Sequence, residues 1–165
     1  AQHPHPERLM FKLMDFSEET LAYTRSCIEK SCQEHGKKVQ VEYIHESVHQ
    51  LLKRASKKDD PLDAQTQFDF VYCAGLFDYL SDKVCSRLLQ YFVSRSSVGG
   101  TVLVTNVHSS NPERHGMEHL LEWHLIYRDE VQLESVLPTN RENTRLYTDD
   151  TGANIFAEFQ VTAGA

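Results

Sequence analysis

In the stretch "FKLMDFSEETLAYTRS", Phe11 to Ser26, an apolar run ends in a carboxylate, Asp15, just before helix-forming residues begin. Ser17 is a good helix N-cap, and Glu18 and Glu19 suit the positive end of a helix dipole, although Thr20 leaves the capping box incomplete. With Ser17 as the cap, Asp15 is spare. A spare carboxylate at the carboxyl end of a strand lies where α/β sheets bind ligands. The plainer alternative is that Asp15 only helps to start the helix. A second grouping is "HGMEH", in which His115, Glu118 and His119 follow the H-x-x-E-H pattern. Two histidines four residues apart share a helix face and could hold zinc, with Glu118 as base. Gly116 weakens that helix, and a third ligand would have to be Glu122, Glu130 or His108, with no spacing to choose among them. A zinc hydrolase is therefore the remote alternative, and no metal site is expected. The surrounding segment, "NVHSSNPERHGMEHLLEWHLIYRD", gathers His108, His115, His119 and His124 with Arg114, Trp123, Tyr127 and Arg128.

The elements that must position these residues follow from periodicity. Leu9–Met14 is expected as a strand, and 18–34 as a helix with Leu21, Ile28 and Cys32 on one face, stopped by Gly36. Val39–Ile44 alternates as a second strand, and 48–55 is a short helix. The strongly apolar "FDFVYC", Phe68–Cys73, reads as a central strand. Asp82–Ser94 is a helix capped by Ser81 or Asp82, Gly99-Gly100 a turn, and Thr101–Asn106 a fourth strand. Helices are expected over 112–127 and 129–137, the second stopped by Pro138. Thr144–Thr148 and Asn154–Val161 flank "DDTGA" as a hairpin. Strands alternating with helices imply a Rossmann-like, mostly parallel sheet with helices on both faces, and the hairpin adds an antiparallel strand at one edge.

Bulk properties narrow the function classes. A chain of 165 residues suggests one domain, 1–165, and 40% hydrophobic with 25% charged residues is ordinary for a globular protein. A net charge of −7 argues against nucleic acid as a partner, because phosphate contacts need clustered cations. No run reaches the length of a membrane span, and "AQHPHPER" lacks the apolar core of a signal peptide. Cys27, Cys32, Cys73 and Cys85 lack C-x-x-C spacing and suit a reduced, cytoplasmic protein. The polar stretch from Ala55 to Gln67 reads as a mobile loop.

The element order, with "MDFSEETLAYTR", "FDFVYCAGLFDYLSD", "VGGTVLVTN" and the terminal hairpin, resembles the class I S-adenosylmethionine-dependent methyltransferases from Leu9 to Val161. The resemblance implies S-adenosyl-L-methionine as cofactor and a small-molecule acceptor. It implies that Asp15 holds the ribose hydroxyls, a carboxylate accepting from a vicinal diol, and that Phe16 lies against adenine. Glu46, Ser47 and Val48 match the positions that touch adenine, although "HES" departs from the usual Gly-Asp pair, and Glu46 or Ser47 could instead cap the next helix. Cys73, Ala74 and Gly75 match the loop under the methionine half. The segment after the fourth strand matches the part that shapes the acceptor pocket. Together with "VYCAGLFDYLSD" it is similar to a bacterial subfamily linked to methyl esters of 3-hydroxy fatty acids, an extracellular factor. Such an acceptor implies Arg114 or Arg128 for its carboxylate and Leu120, Leu121, Trp123 and Ile126 for its chain, with His115 and Tyr127 nearby. A carboxylate acceptor needs no base; a hydroxyl acceptor would, and His108 is the catalytic candidate for it.

Members of that family begin with a strand and a glycine-rich loop, whereas the first of the seven glycines here is Gly36. The expectation is thus a truncated domain lacking its first strand and inactive alone, with self-association across the exposed strand edges or a separate N-terminal segment filling the gap. The alternative of a different class is a non-catalytic regulatory or interaction domain that kept the fold.

Overall fold

The computed structural model describes residues 5–55 and 67–163; the polar stretch expected as a mobile loop lies, but for its ends, outside them. The chain divides into two compact units, residues 1–58 and 59–165.

In the first unit a short 3-10 turn, Pro6–Arg8, precedes β1 (Met10–Asp15), α1 (Glu18–His35), β2 (Gln40–His45) and α2 (Val48–Ala55). β1 and β2 pair in parallel, with Met10 opposite Gln40 and Asp15 opposite His45. Each strand starts one residue later than the sequence pattern suggests, so Asp15 is the last residue of β1. The Ser17 hydroxyl accepts the Thr20 N–H at 3.2 Å, which satisfies one of the open donors at the start of α1. Gly36 ends the helix at φ 61°, donating to Cys32 and Gln33 carbonyls, and Lys37 N–H reaches the Cys32 carbonyl at 2.9 Å.

The second unit contains β3 (Phe68–Cys73), a 3-10 turn (Phe77–Tyr79), α3 (Asp82–Arg95), β4 (Ser96–Val107), α4 (Arg114–Leu120), α5 (Glu130–Val136), β5 (Arg141–Thr148) and β6 (Asn154–Val161). The sheet order is β3-β4-β6-β5. β3 and β4 are parallel, while β6 runs antiparallel to both β4 and β5, so β5 runs with β3 and β4. The hairpin therefore adds two strands, with β6 inside the sheet and β5 at its edge. Its core comes from alternate residues of β4 and β6, Val102, Val104, Ile155, Ala157 and Phe159, and from Cys85, Leu88 and Leu89 on one stripe of α3, with Leu133 of α5. Each fully buried Leu contributes about 2 kcal/mol. A hydrogen bond from Ser86 Oγ to the Val136 carbonyl, 3.2 Å, ties α3 to the end of α5.

Two expectations change. Gly99-Gly100 does not separate a turn from a strand but bulges within β4: Phe68 faces Ser96 while Phe70 faces Thr101. Gly99 takes φ 80°, and a Cβ on Gly100 would sit 2.8 Å from the Ser97 carbonyl oxygen and 3.0 Å from that of Phe68. The helix expected over 112–127 stops at Leu120. Glu122 adopts φ 50°, and the chain then runs extended, because Ile126 N–H donates to the Asp78 carbonyl at 2.7 Å and Arg128 N–H to the Val107 carbonyl at 3.2 Å. The long-range partners outweigh the helical pattern of "EHLLEWHLIY".

Candidate functional site

In the first unit the parallel register brings the ends of β1 and β2 side by side, and with them Asp15 and Glu46. Asp15 Oδ1 accepts the Ser17 N–H at 2.7 Å, so this carboxylate is not spare: it helps start α1. Its Oδ2 has no hydrogen-bond partner among the described residues. Glu46 N–H donates to the Asp15 carbonyl at 3.1 Å, and His45 Nε2 lies 2.9 Å from the Phe16 carbonyl oxygen, which fixes the loop after β1. Phe16 itself is 73% exposed. The Glu46 carboxylate is engaged by Arg54, which donates from Nε at 3.2 Å and from Nη2 at 2.8 Å. Ser47 caps α2: its hydroxyl accepts Gln50 N–H at 3.3 Å, and Gln50 Oε1 accepts Ser47 N–H at 2.8 Å. Val48 is the first helical residue. Of the two alternatives for Ser47, the geometry realises the cap.

In the second unit the carboxyl ends of β3 and β4 adjoin. Cys73 closes β3, and burial pushes its thiol up to about 12, so it is a neutral thiol at physiological pH. Ala74 and Gly75 are exposed. Gly75 takes φ 70° and donates its N–H to Thr105 Oγ1 at 3.1 Å, and nothing lies within 4 Å of the place a Cβ would take. The loop thus shows a bare backbone face, held from behind by Thr105 of β4.

Arg128 organises the next segment and is 1% exposed. Nε and Nη2 donate to Asp82 Oδ1 at 3.0 and 2.7 Å, Nη1 to the Phe77 carbonyl at 2.9 Å and to Asn106 Oδ1 at 2.5 Å, and Nη2 also to the Leu80 carbonyl at 2.7 Å. All five guanidinium donors are spent on the protein, so none remains for an acceptor's carboxylate. The expected substrate role of Arg128 gives way to that of a buried fastener. Asn106, also fully buried, donates to the Ile126 carbonyl at 2.8 Å. Asp78, 5% exposed, accepts the Val107 N–H at 2.6 Å; burial raises its carboxyl above the usual range, opposed by that bond and by Arg128.

Arg114 pairs through Nε with Glu118 at 3.0 Å and stacks 4.2 Å over the Tyr127 ring. Its remaining N–H groups have no partner among the described residues, so Arg114 is the available cation here. The Tyr127 hydroxyl is closed to solvent without a hydrogen-bond partner among the described residues, and burial, then the Glu118 charge, push its phenol up. Trp123 Nε1 donates to Tyr79 Oη at 3.0 Å, and Leu120, Leu121 and Ile126 are exposed. His115 is exposed and stacks on His119, 6.1 Å between centroids. Among the described residues no three His, Cys, Asp or Glu side chains could hold a metal together. His108, just past β4, has Nδ1 2.6 Å from Ser110 Oγ and Nε2 3.3 Å from Glu130 Oε2. Sequence reasoning passed over Asp78, Asn106 and Ser110, and named Asp82 only as a helix cap and Glu130 only as a third ligand for zinc. Asp78 alone carried a signal, an acid inside the apolar "GLFDYL".

No protein-family model matches the chain. No curated protein matches it either. Solved structures do. A possible exported protein from Bordetella parapertussis aligns at a TM-score of 0.66 and 14% identity, over 98% of this chain and 64% of that one. Magnesium protoporphyrin IX methyltransferase from Synechocystis, solved with S-adenosylhomocysteine, aligns at 0.60 and 11% identity, over 96% and 75%. The N-methyltransferase NodS from Bradyrhizobium japonicum, with the same ligand, gives 0.52 and 11% identity, over 93% and 77%. Against the first of these the chain spans just under two thirds of its counterpart's length. At these identities the likeness shows the fold, a Rossmann-like α/β fold shared with methyltransferases. Among the described residues no helix is long and apolar enough to cross a membrane.

Proposed function

We propose that the chain is part of a cytoplasmic S-adenosylmethionine-dependent methyltransferase that methylates an oxygen, a carboxylate, of a small or fatty-acid-like acceptor. The observation that carries the reading is Asp15: a carboxylate at the end of a parallel strand, one oxygen bound to the Ser17 amide and the other open. The residues present suit the cofactor. Asp15 Oδ2 would accept from the ribose, the exposed Phe16 ring would cover adenine, and Glu46 and Val48 would border it, Glu46 through its apolar stem because Arg54 holds its head. Taken by itself, the second unit has at Cys73, Ala74 and Gly75 the bare backbone that a methionine moiety would need. When bound, the cofactor supplies an electrophilic methyl group on its sulfonium.

The chain's own residues then need to position the acceptor and exclude water. A carboxylate is already ionised near pH 7, so no base is required, and catalysis rests on alignment and desolvation. Arg114, held by Glu118 and Tyr127, would take the acceptor's carboxylate, and the apolar surface of Trp123, Leu121 and Ile126 would take its chain. The test uses S-adenosylmethionine labelled on its methyl group with a 3-hydroxy fatty acid. The expected product is a methyl ester that mild base releases as labelled methanol, with KM for the acid raised in Arg114→Gln. Label stable to base, or no transfer by the full product of the reading frame, would reject the carboxylate acceptor.

A further inference from the structure

We propose that Ser110 is an activated nucleophile, driven by His108 and oriented through Glu130, that accepts acyl groups from esters with good leaving groups. The three side chains lie in the second unit, at the carboxyl end of β4. His108 is held there by its backbone, whose N–H donates to the Ala153 carbonyl at 2.8 Å and which bridges to Arg128 in parallel. Its imidazole is 12% exposed. Glu130 opens α5 beside Asp129, whose capping box fixes that turn: Gln132 N–H to Asp129 Oδ1 at 2.8 Å and Asp129 N–H to Gln132 Oε1 at 3.0 Å.

The hydrogen bonds settle the tautomer. Ser110 N–H lies 3.3 Å from His108 Nδ1, and a backbone N–H can only donate. Nδ1 is therefore the bare nitrogen, so Nε2 carries the proton and gives it to Glu130 Oε2 at 3.3 Å. The Ser110 hydroxyl, 2.6 Å from Nδ1, must then also donate. The result is a serine O–H directed at a neutral imidazole whose far side rests on a carboxylate, the arrangement that activates serine nucleophiles, with the two ring nitrogens exchanged. The Glu130 carboxyl is held below the usual range by its own backbone N–H and then by His108, so it stays ionised to stabilise an imidazolium.

Ser110 Oγ would attack the carbonyl carbon of the ester as its proton passes to His108 Nδ1. The new O–C bond forms, the bond to the leaving group breaks, and the departing phenolate or thiolate takes the proton from Nδ1. The surroundings limit the substrate. The amides of Ser109 and Asn111 are spent on the Arg128 and His108 carbonyls, at 3.2 and 3.0 Å, so neither is free to hold an oxyanion. Aryl esters and thioesters fit; amides do not.

Ser109 is an internal control, an exposed serine one residue away without an imidazole partner. The protein is incubated with p-nitrophenyl acetate, nitrophenolate release is followed, and peptide mass spectrometry locates the acetyl group. The expected result is acetylation of Ser110 but not Ser109, falling about a hundredfold in His108→Gln, the usual worth of a general base. In Glu130→Gln a smaller loss of about tenfold is expected, because the Ser110 amide still fixes the tautomer. Circular dichroism of each variant separates lost activation from lost fold. Equal acetylation of both serines, no acetylation at all, or release unchanged in Ser110→Ala would overturn the proposal. It rests on the second unit alone and is decided separately from methyl transfer.

Discussion

Replacing Arg128 with Met keeps an unbranched apolar stem and removes all five donors. The consequences divide by exposure. The Asp82 side chain is 69% exposed, so its carboxylate returns to water at little cost. The Oδ1 of Asn106 stays inside without a donor, while the carbonyls of Phe77 and Leu80 each lose their charged donor and keep only the Leu80 N–H at 3.1 Å and the weak Cys85 thiol at 3.5 Å, respectively. The orphaned oxygen costs about 1–3 kcal/mol, and the charge-assisted bonds lost at the two carbonyls add about 1 kcal/mol each, giving a loss on the order of 4 kcal/mol. Domains of this size hold only about 5–15 kcal/mol, so the variant should sit near the edge of folding. Urea unfolding followed by fluorescence of Trp123, the single tryptophan, reads the same segment directly. With a slope near 2 kcal/mol per molar, the midpoint should fall by about 2 M, and Arg128→Lys, with three donors, should fall about half as far. A midpoint for Arg128→Met within about 0.3 M of wild type would refute the reasoning.

Gly100→Ala should cost about 1–3 kcal/mol in the same assay, since its Cβ would press on three backbone carbonyls that cannot swing away; an unchanged midpoint would mean that the β4 bulge is softer than it looks. Asp149 anchors the β5–β6 hairpin, and hydrogen bonds, first from the Thr151 hydroxyl and then from Asn154, hold its carboxyl at about 2 against an ordinary 3.8. A depressed carboxyl stabilises the fold above the ordinary value and loses that contribution as pH falls toward the folded one. The gap in melting temperature between wild type and Asp149→Asn should therefore be full at neutral pH and close as the pH drops from 3.8 toward about 2. Phe70 and Tyr72 stack on the outer strand of their sheet, at 55% and 56% exposure, so the protein should self-associate and Phe70→Lys/Tyr72→Lys should reduce it. A wild type that scatters light as a monomer across the micromolar range would contradict this.

Local rules carried most of the fold. Ser17 before two glutamates, Gly36 after a helical stripe, and the alternation of "NIFAEFQV" each specify their element within a residue or so. What sequence did not show depends on distant partners. The run from Met117 to Tyr127 keeps a helical pattern, yet Asp78 and Asn106, from two other elements, draw Ile126 into an extended path. Arg128 reads as a surface cation by type, and only the folded chain reveals carbonyls and carboxamide gathered around it. Ser110 and Glu130 are twenty residues apart, and although Glu130 was named as a ligand for zinc, nothing joined the two until β4 and α5 brought both to His108. By contrast, the capping boxes "SVHQ" at the start of α2 and "DEVQ" at the start of α5 are local, although the sequence reading had offered only Glu46 or Ser47 as a cap.

Calorimetric titration with S-adenosylhomocysteine, comparing the full product of the reading frame with its Asp15→Ala variant, addresses cofactor binding most directly. If Asp15 Oδ2 holds the ribose, the wild type binds and the variant loses about 2–3 kcal/mol, roughly 30- to 150-fold in affinity, the worth of two charge-assisted hydrogen bonds. Because Asp15 also accepts the Ser17 amide, Asp15→Asn, which keeps that acceptor, must show a comparable loss for the effect to belong to the ligand. Equal affinity in wild type and both variants, or no binding by any of them, would contradict the assignment of this carboxylate to a cofactor.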